Sequence, residues 1–168
     1  MNVHRSNNRI HALLQNDDSY DILLIQEPWF RTVATLHSDT DPEGRPQLGA
    51  PVNNRWDLHT PKHEAGERCK AIAYSRKKIS SRVQNLTQHL LSGPSTILLD
   101  ILEQDTVTLC IVNVYHDVPN RGHGLHALFS YTTDELTPTL FIGDFNTHSP
   151  LWSLLNSTMS SRAREFED

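Results

Sequence analysis

Two short apolar runs, far apart in the chain, each end in a carboxylate. Asp21-Ile22-Leu23-Leu24-Ile25 leads into Gln26-Glu27-Pro28-Trp29, and Thr139-Leu140-Phe141-Ile142 leads into Gly143-Asp144-Phe145-Asn146. Runs of this length bounded by turn-forming residues read as buried strands. Each strand then delivers an acid to a surface, and the second adds an amide two residues on. Carboxylate and amide oxygens are the donors that suit Mg²⁺, which is usually held by one or two carboxylates plus substrate phosphate. The chemistry open to such a set is attack of water on a phosphate ester. On an extended backbone Asp144 and Asn146 point to the same side. Asp144 can there orient or deprotonate a water while Asn146 donates to a phosphate oxygen. The competing reading of Gly-Asp-Phe-Asn is a simple turn, which favours the same residue types.

The elements that must position these residues are partly legible. Ile10, Leu13 and Leu14 recur at helical spacing, so residues 7–16 read as a helix capped by Ser6 or Asn7 and stopped by Asn16-Asp17-Asp18-Ser19. Residues 20–26 read as a strand. Residues 28–67 have no clear period and hold Pro42, Gly44, Pro46, Gly49, Pro51, Pro61 and Gly66, which predicts a long surface loop. Residues 69–74 alternate as a strand, and 83–91 are ambiguous. Residues 95–102 and 106–115 are two strands joined by Glu103-Gln104-Asp105, a hairpin. Residues 121–136 are expected to be partly helical, 149–155 a helical turn, and 160–168 the start of a helix. Strands interleaved with helices make the fold class α/β.

Bulk properties fit one soluble domain of 168 residues, 37% apolar and 21% charged. The net charge of −5 counts against strong autonomous DNA affinity. Arg76-Lys77-Lys78 with Arg82 stands out as a basic cluster, able to contact backbone phosphates or to form a solvated strand end. Cys69 and Cys110 are expected to be buried free thiols in a reducing compartment. His123 and His126 lack a third ligand nearby and read as a solvated helix face. No stretch is apolar over the ~18 residues a membrane span requires.

In combination these motifs resemble the endonuclease/exonuclease/phosphatase superfamily of Mg²⁺-dependent phosphodiesterases, which includes apurinic nucleases. The closer resemblance is to the endonuclease domain of non-LTR (LINE-type) retrotransposons. It is carried by Gly143-Asp144-Phe145-Asn146-Thr147-His148-Ser149-Pro150-Leu151-Trp152, by residues 21–29, by Asn2-Val3 at the end of a first strand, and by Asn113-Val114-Tyr115 closing another. Four matches in the right order form a specific signal, where any one alone is weak.

The resemblance implies a DNase I-like, four-layer α/β-sandwich, two sheets flanked by helices. It implies Glu27 as metal ligand, Asn2 holding the metal or a ligand carboxylate, and Tyr115 hydrogen-bonded to a phosphate oxygen. Asp144 and Asn146 act on water and phosphate, and His148 supports the site or packs beneath it. The implied cofactor is Mg²⁺, with Mn²⁺ as a substitute. The implied partner is DNA, with no membrane; the residues do not fix a compartment, and the expectation is an intracellular location, nuclear if DNA is the substrate. Nothing after Trp152 matches the family's later Asp and Ser-Asp-His elements. The chain is therefore expected to be a single domain, residues 1–168, truncated at its C-terminus, with an exposed sheet edge. The expected activity is Mg²⁺-dependent DNA endonuclease cleavage impaired by truncation. The alternative is a catalytically inactive remnant that at most binds metal or a partner.

Overall fold

A computed structural model describes residues 1–16, 19–38, 41–63, 66–87, 93–116 and 140–146. Helix α1 spans Asn7–Asn16. Ser6 Oγ accepts the Arg9 N–H at 3.3 Å, a cap that satisfies one of the amides every helix start leaves unpaired. Ile10 and Leu14, one turn apart, are fully buried, and Leu13 packs beside them. The helix has no basic residue in its last turn. Its final carbonyls are met from outside instead. Arg55 Nη2 donates to Leu14 O and Gln15 O, and Trp56 Nε1 donates to Leu14 O at 3.0 Å.

The strands are β1 (Ile22–Gln26), β2 (Arg31–Ser38), β3 (Asp41–Gly49), β4 (Trp56–His59), β5 (Ala71–Arg76), β6 (Val83–Asn85), β7 (Thr96–Glu103), β8 (Thr106–Tyr115) and β9 (Leu140–Asp144). They form a β1-β5-β4 sheet, a β2-β3 ribbon and a β6-β7-β8-β9 sheet. Pairing is antiparallel except between β8 and β9, which run parallel with Tyr115 opposite Asp144. The β7–β8 hairpin closes on Gln104 and Asp105, both left-handed at φ 49° and 61°, as the tightest hairpin turns require.

The layers follow from the two-residue alternation of strand side chains. One face of the β1-β5-β4 sheet carries Leu23, Ile25, Ile72 and Tyr74 against α1. Its other face meets the second sheet through Ala73, Val83, Ile97 and Leu99, joined by Ile22 and Leu24. The far face of the second sheet carries Leu98, Cys110, Val112 and Val114, with Phe145 packed on them. This mixed α/β sandwich of stacked sheets is the DNase I-like architecture. Both cysteines are buried thiols outside any disulfide, and burial pushes each up to about 12, so little reactive thiolate exists at neutral pH. Among the described residues no helix is long and apolar enough to cross a membrane.

Two expectations are corrected. Residues 28–67 are not one loop: they contain the β2-β3 ribbon and β4. The ribbon is two-stranded, its N-terminal residues 31–35 are exposed, and its register shifts between Thr32 and Ala34. A two-stranded ribbon leaves a free edge on each strand, which tolerates Pro42 and Pro46, and Gly44 with the register shifts interrupts any alternation. Arg76 is not part of a solvated cluster. It is 6% exposed, its guanidinium sits 4.2 Å over the Trp56 ring, and its Nε donates to Tyr20 O. Lys78, from the same cluster, pairs with Asp21 at 2.6 Å. The helices expected at 121–136, 149–155 and 160–168, together with His123 and His126, lie outside the described residues.

Candidate active site

The tips of β1, β8 and β9 and the first residues of the chain meet at one rim of the sandwich. The N-terminal segment runs parallel beside β1: Gln26 N donates to Met1 O, Val3 N donates to Gln26 O, and Asn2 and Gln26 form a bridge. Asn2 is thereby fixed next to Glu27. Asn2 Nδ2 donates to Asp144 Oδ2 at 3.1 Å, and Asn2 Oδ1 accepts the His4 N–H at 2.8 Å. That contact closes a sequence separation of 142 residues.

Glu27 leaves the strand in the left-handed region at φ 46°. That conformation costs a non-glycine residue roughly 1–3 kcal/mol and persists only where the surroundings impose it. Here the backbone is held on both sides: Glu27 N donates to Lys70 O at 2.9 Å, and Arg5 N donates to Glu27 O at 2.7 Å. The turn swings the carboxylate to the rim, where Tyr115 Oη donates to Glu27 Oε1 at 2.5 Å. His4 Nδ1 lies 3.7 Å from Glu27 Oε2. His4 and Arg5 are themselves left-handed, at φ 51° and 57°.

Asp144 is placed by the parallel β8–β9 pairing and by His116 N, which donates to Asp144 O at 2.8 Å. Asn146 departs from expectation. It is left-handed at φ 46°, so the backbone after Asp144 is not extended. Its N–H donates to Asp144 Oδ1 at 3.3 Å, and its Nδ2 donates to His116 O at 2.8 Å. The short polar side chain of Asn tolerates this conformation, and the amide clamps the chain after β8 to the chain after β9. His148 lies outside the described residues.

Beneath the rim is a buried pair that the sequence reading missed. Asn113 is fully buried in β8, and its Nδ2 donates to Ile25 O and Ile72 O of the opposite sheet. Its Oδ1 accepts from Gln26 Nε2 at 2.6 Å. These bonds fix β8 against β1 one residue before Glu27 and two before Tyr115. The signal was available: an amide at an inward position of the apolar run Cys110-Ile111-Val112-Asn113-Val114 needs polar partners once buried.

The rim thus holds two carboxylates, Glu27 and Asp144, with a phenol and two amides around them. Among the described residues no three His, Cys, Asp or Glu side chains converge on a metal position. A two-carboxylate oxygen set does not make a closed transition-metal cage. It does match the way Mg²⁺ is held, with water and substrate filling the remaining positions.

This fold and rim define a class. A model of the Endonuclease/Exonuclease/phosphatase family matches residues 1–164, and the chain belongs to that family. In the solved structures, the endonuclease domain of TRAS1, a telomere-specific non-LTR retrotransposon, is similar in fold. It aligns with a TM-score of 0.65 at 16% identity, over 99% of this chain and 65% of that one. The chain therefore spans about 65% of the length of its structural neighbour. No curated protein matches it.

Proposed function

We propose that this chain is a Mg²⁺-dependent phosphodiesterase that nicks DNA. The observation that carries the reading is the convergence of Glu27, Tyr115, Asn2 and Asp144 at one rim, joined by the Tyr115–Glu27 and Asn2–Asp144 hydrogen bonds. Glu27 and Asp144 are the carboxylates that would hold Mg²⁺. When bound, the ion supplies neutralisation of charge on the phosphoryl oxygens and on the leaving oxygen.

The chain's own groups do the rest. Asp144 accepts a hydrogen bond from the attacking water and takes its proton. Asn2 keeps the carboxylate from rotating away, since its Nδ2 occupies Oδ2. The Tyr115 hydroxyl, poised on Glu27 Oε1, can turn its hydrogen to a non-bridging phosphate oxygen as charge builds there. The Asn113–Gln26 pair holds these tips in mutual register from below.

The test is relaxation of supercoiled plasmid by the purified chain. Nicking is expected in Mg²⁺ or Mn²⁺ and none in EDTA. Tyr115→Phe is expected to lower the rate by roughly 10²–10³-fold, the range for a single hydrogen bond made to developing charge. No nicking with either metal, by a folded chain, would leave the inactive-remnant reading in its place.

A further inference from the structure

Glu27 and Tyr115 form one wall of a cleft of about 150 Å³ whose other lining includes Arg5, Arg31, Arg68 and Lys70. The four cations come from three separate places: the turn after Asn2, the first residue of the ribbon, and the segment before β5. In a chain with 15 basic against 20 acidic residues, such a concentration around one small cleft is not what average composition gives. Arg5, Arg31 and Arg68 are exposed, so their guanidinium groups meet solvent and ligand rather than the core. The placement of Arg5 is specified by strain, because its left-handed φ of 57° accompanies its N–H bond to Glu27 O. Trp29 and Phe30 also line the cleft, and Phe30 is 3% exposed, held in the core cluster.

We infer that this cleft is a subsite for a non-scissile phosphodiester of the polynucleotide strand, the backbone unit next to the one cut at the Glu27–Asp144 rim. The assignment deepens the phosphodiesterase reading and rests on it. Guanidinium groups suit phosphate because their planar fork offers paired donors. A cleft of this volume takes one phosphate with its sugar, a single backbone unit, while the remainder of the nucleic acid lies outside. Phosphate contacts of this kind set register and orientation and carry no base sequence. The subsite gives a chain of net charge −5 a local means of holding a polyanion.

The test measures binding in EDTA, where hydrolysis plays no part. A fluorescent 20-base-pair duplex is titrated with the wild type, with Arg31→Ser/Arg68→Ser, with Arg31→Lys/Arg68→Lys, and with Lys77→Ser/Lys78→Ser as a control of equal charge change. The Ser pair in the cleft is expected to weaken binding about 10-fold and to reduce the slope of log K against log salt by about 0.9 for each phosphate it no longer neutralises. The Lys pair is expected to retain most of the slope, and the control to match the wild type. Equal losses in cleft and control variants would mean a diffuse charge effect and overturn the subsite, as would a wild type that does not bind the duplex. Thymidine 5′-monophosphate bound as tightly as the duplex, and equally lost in the Ser pair, would reassign the cleft to small phosphate esters. A chain that binds DNA through the cleft but never nicks it would remove the hydrolase reading and leave the phosphate subsite standing.

Discussion

Asp144→Asn is expected to reduce Mg²⁺-dependent plasmid nicking by about 10³-fold or more while leaving thermal unfolding within a degree or two of the wild type. The substitution keeps size and shape, and an amide oxygen can still accept the hydrogen bond from Asn2 Nδ2; only the long, exposed 3.3 Å bond from the Asn146 N–H is given up. What is lost is the negative charge that would help hold the ion and the basicity that takes the proton of the water. Groups that act as a catalytic unit cost several orders of magnitude when one is removed, and 10³-fold corresponds to about 4 kcal/mol of barrier. Asn2→Ala acts through Asp144, so a smaller loss is expected from the freed carboxylate. Nicking by Asp144→Asn at a tenth of the wild-type rate or better would take Asp144 out of the chemistry.

The second large effect falls on stability. Gly143 is opposite Val114 in the parallel pairing, and a Cβ added there would lie 2.0 Å from Val114 O and 2.9 Å from Val114 C. The obstacle is the backbone of β8, on which β9 lies as the last strand of the described sheet, so no side chain can move aside to make room. Gly143→Ala must therefore push β9 from β8 or shift its register by a residue, and a one-residue shift turns every side chain to the other face. Overpacking of this kind costs 1–3 kcal/mol in cores able to adjust. Here the expected cost is above ~3 kcal/mol, a fall of roughly 6–12 °C in melting temperature for a domain of this size. Nicking should fall with it, since Asp144 follows directly on Gly143 in β9. A melting curve for Gly143→Ala that overlays the wild type would show that β8 and β9 do not approach each other so closely.

The sequence made some of this legible and hid the rest for identifiable reasons. Helix α1 was readable in full because a cap, a spaced apolar face and a stop all agreed, and Ser6 does cap it. The β7–β8 hairpin was readable because two β-rich runs flank polar residues that accept left-handed angles. Glu27, Tyr115 and Asp144 could be singled out because each ends an apolar strand, and the structure brings those strand ends to one rim.

The ribbon of β2 and β3 was not readable, because Pro42, Gly44 and Pro46 in β3 read as loop punctuation although the edges of a two-stranded ribbon tolerate them. Arg76 misled because a charged residue at a strand end is ordinarily solvated, whereas here Trp56 supplies a ring to cover it. Asn146 misled because the extended geometry assumed beyond Asp144 gives way to a left-handed turn. The basic cleft was invisible because Arg5, Arg31, Arg68 and Lys70 are spread over more than a third of the chain and only folding gathers them. Asn113 and Gln26 were present in the motifs but silent about roles, since a sequence does not say which backbone carbonyls a buried amide will meet.

Under the proposed function, Glu27 and Asp144 share one divalent cation. Direct titration of Mn²⁺ into the wild-type chain, followed by electron paramagnetic resonance of the free ion, tests that point without any need for turnover. One ion per chain is predicted, with Glu27→Gln and Asp144→Asn each weakening it by about 10-fold or more, and the double variant little worse than either alone, as expected when two groups serve one site. Stoichiometric Mn²⁺ binding that survives one of these substitutions unchanged while vanishing with the other would contradict a shared site.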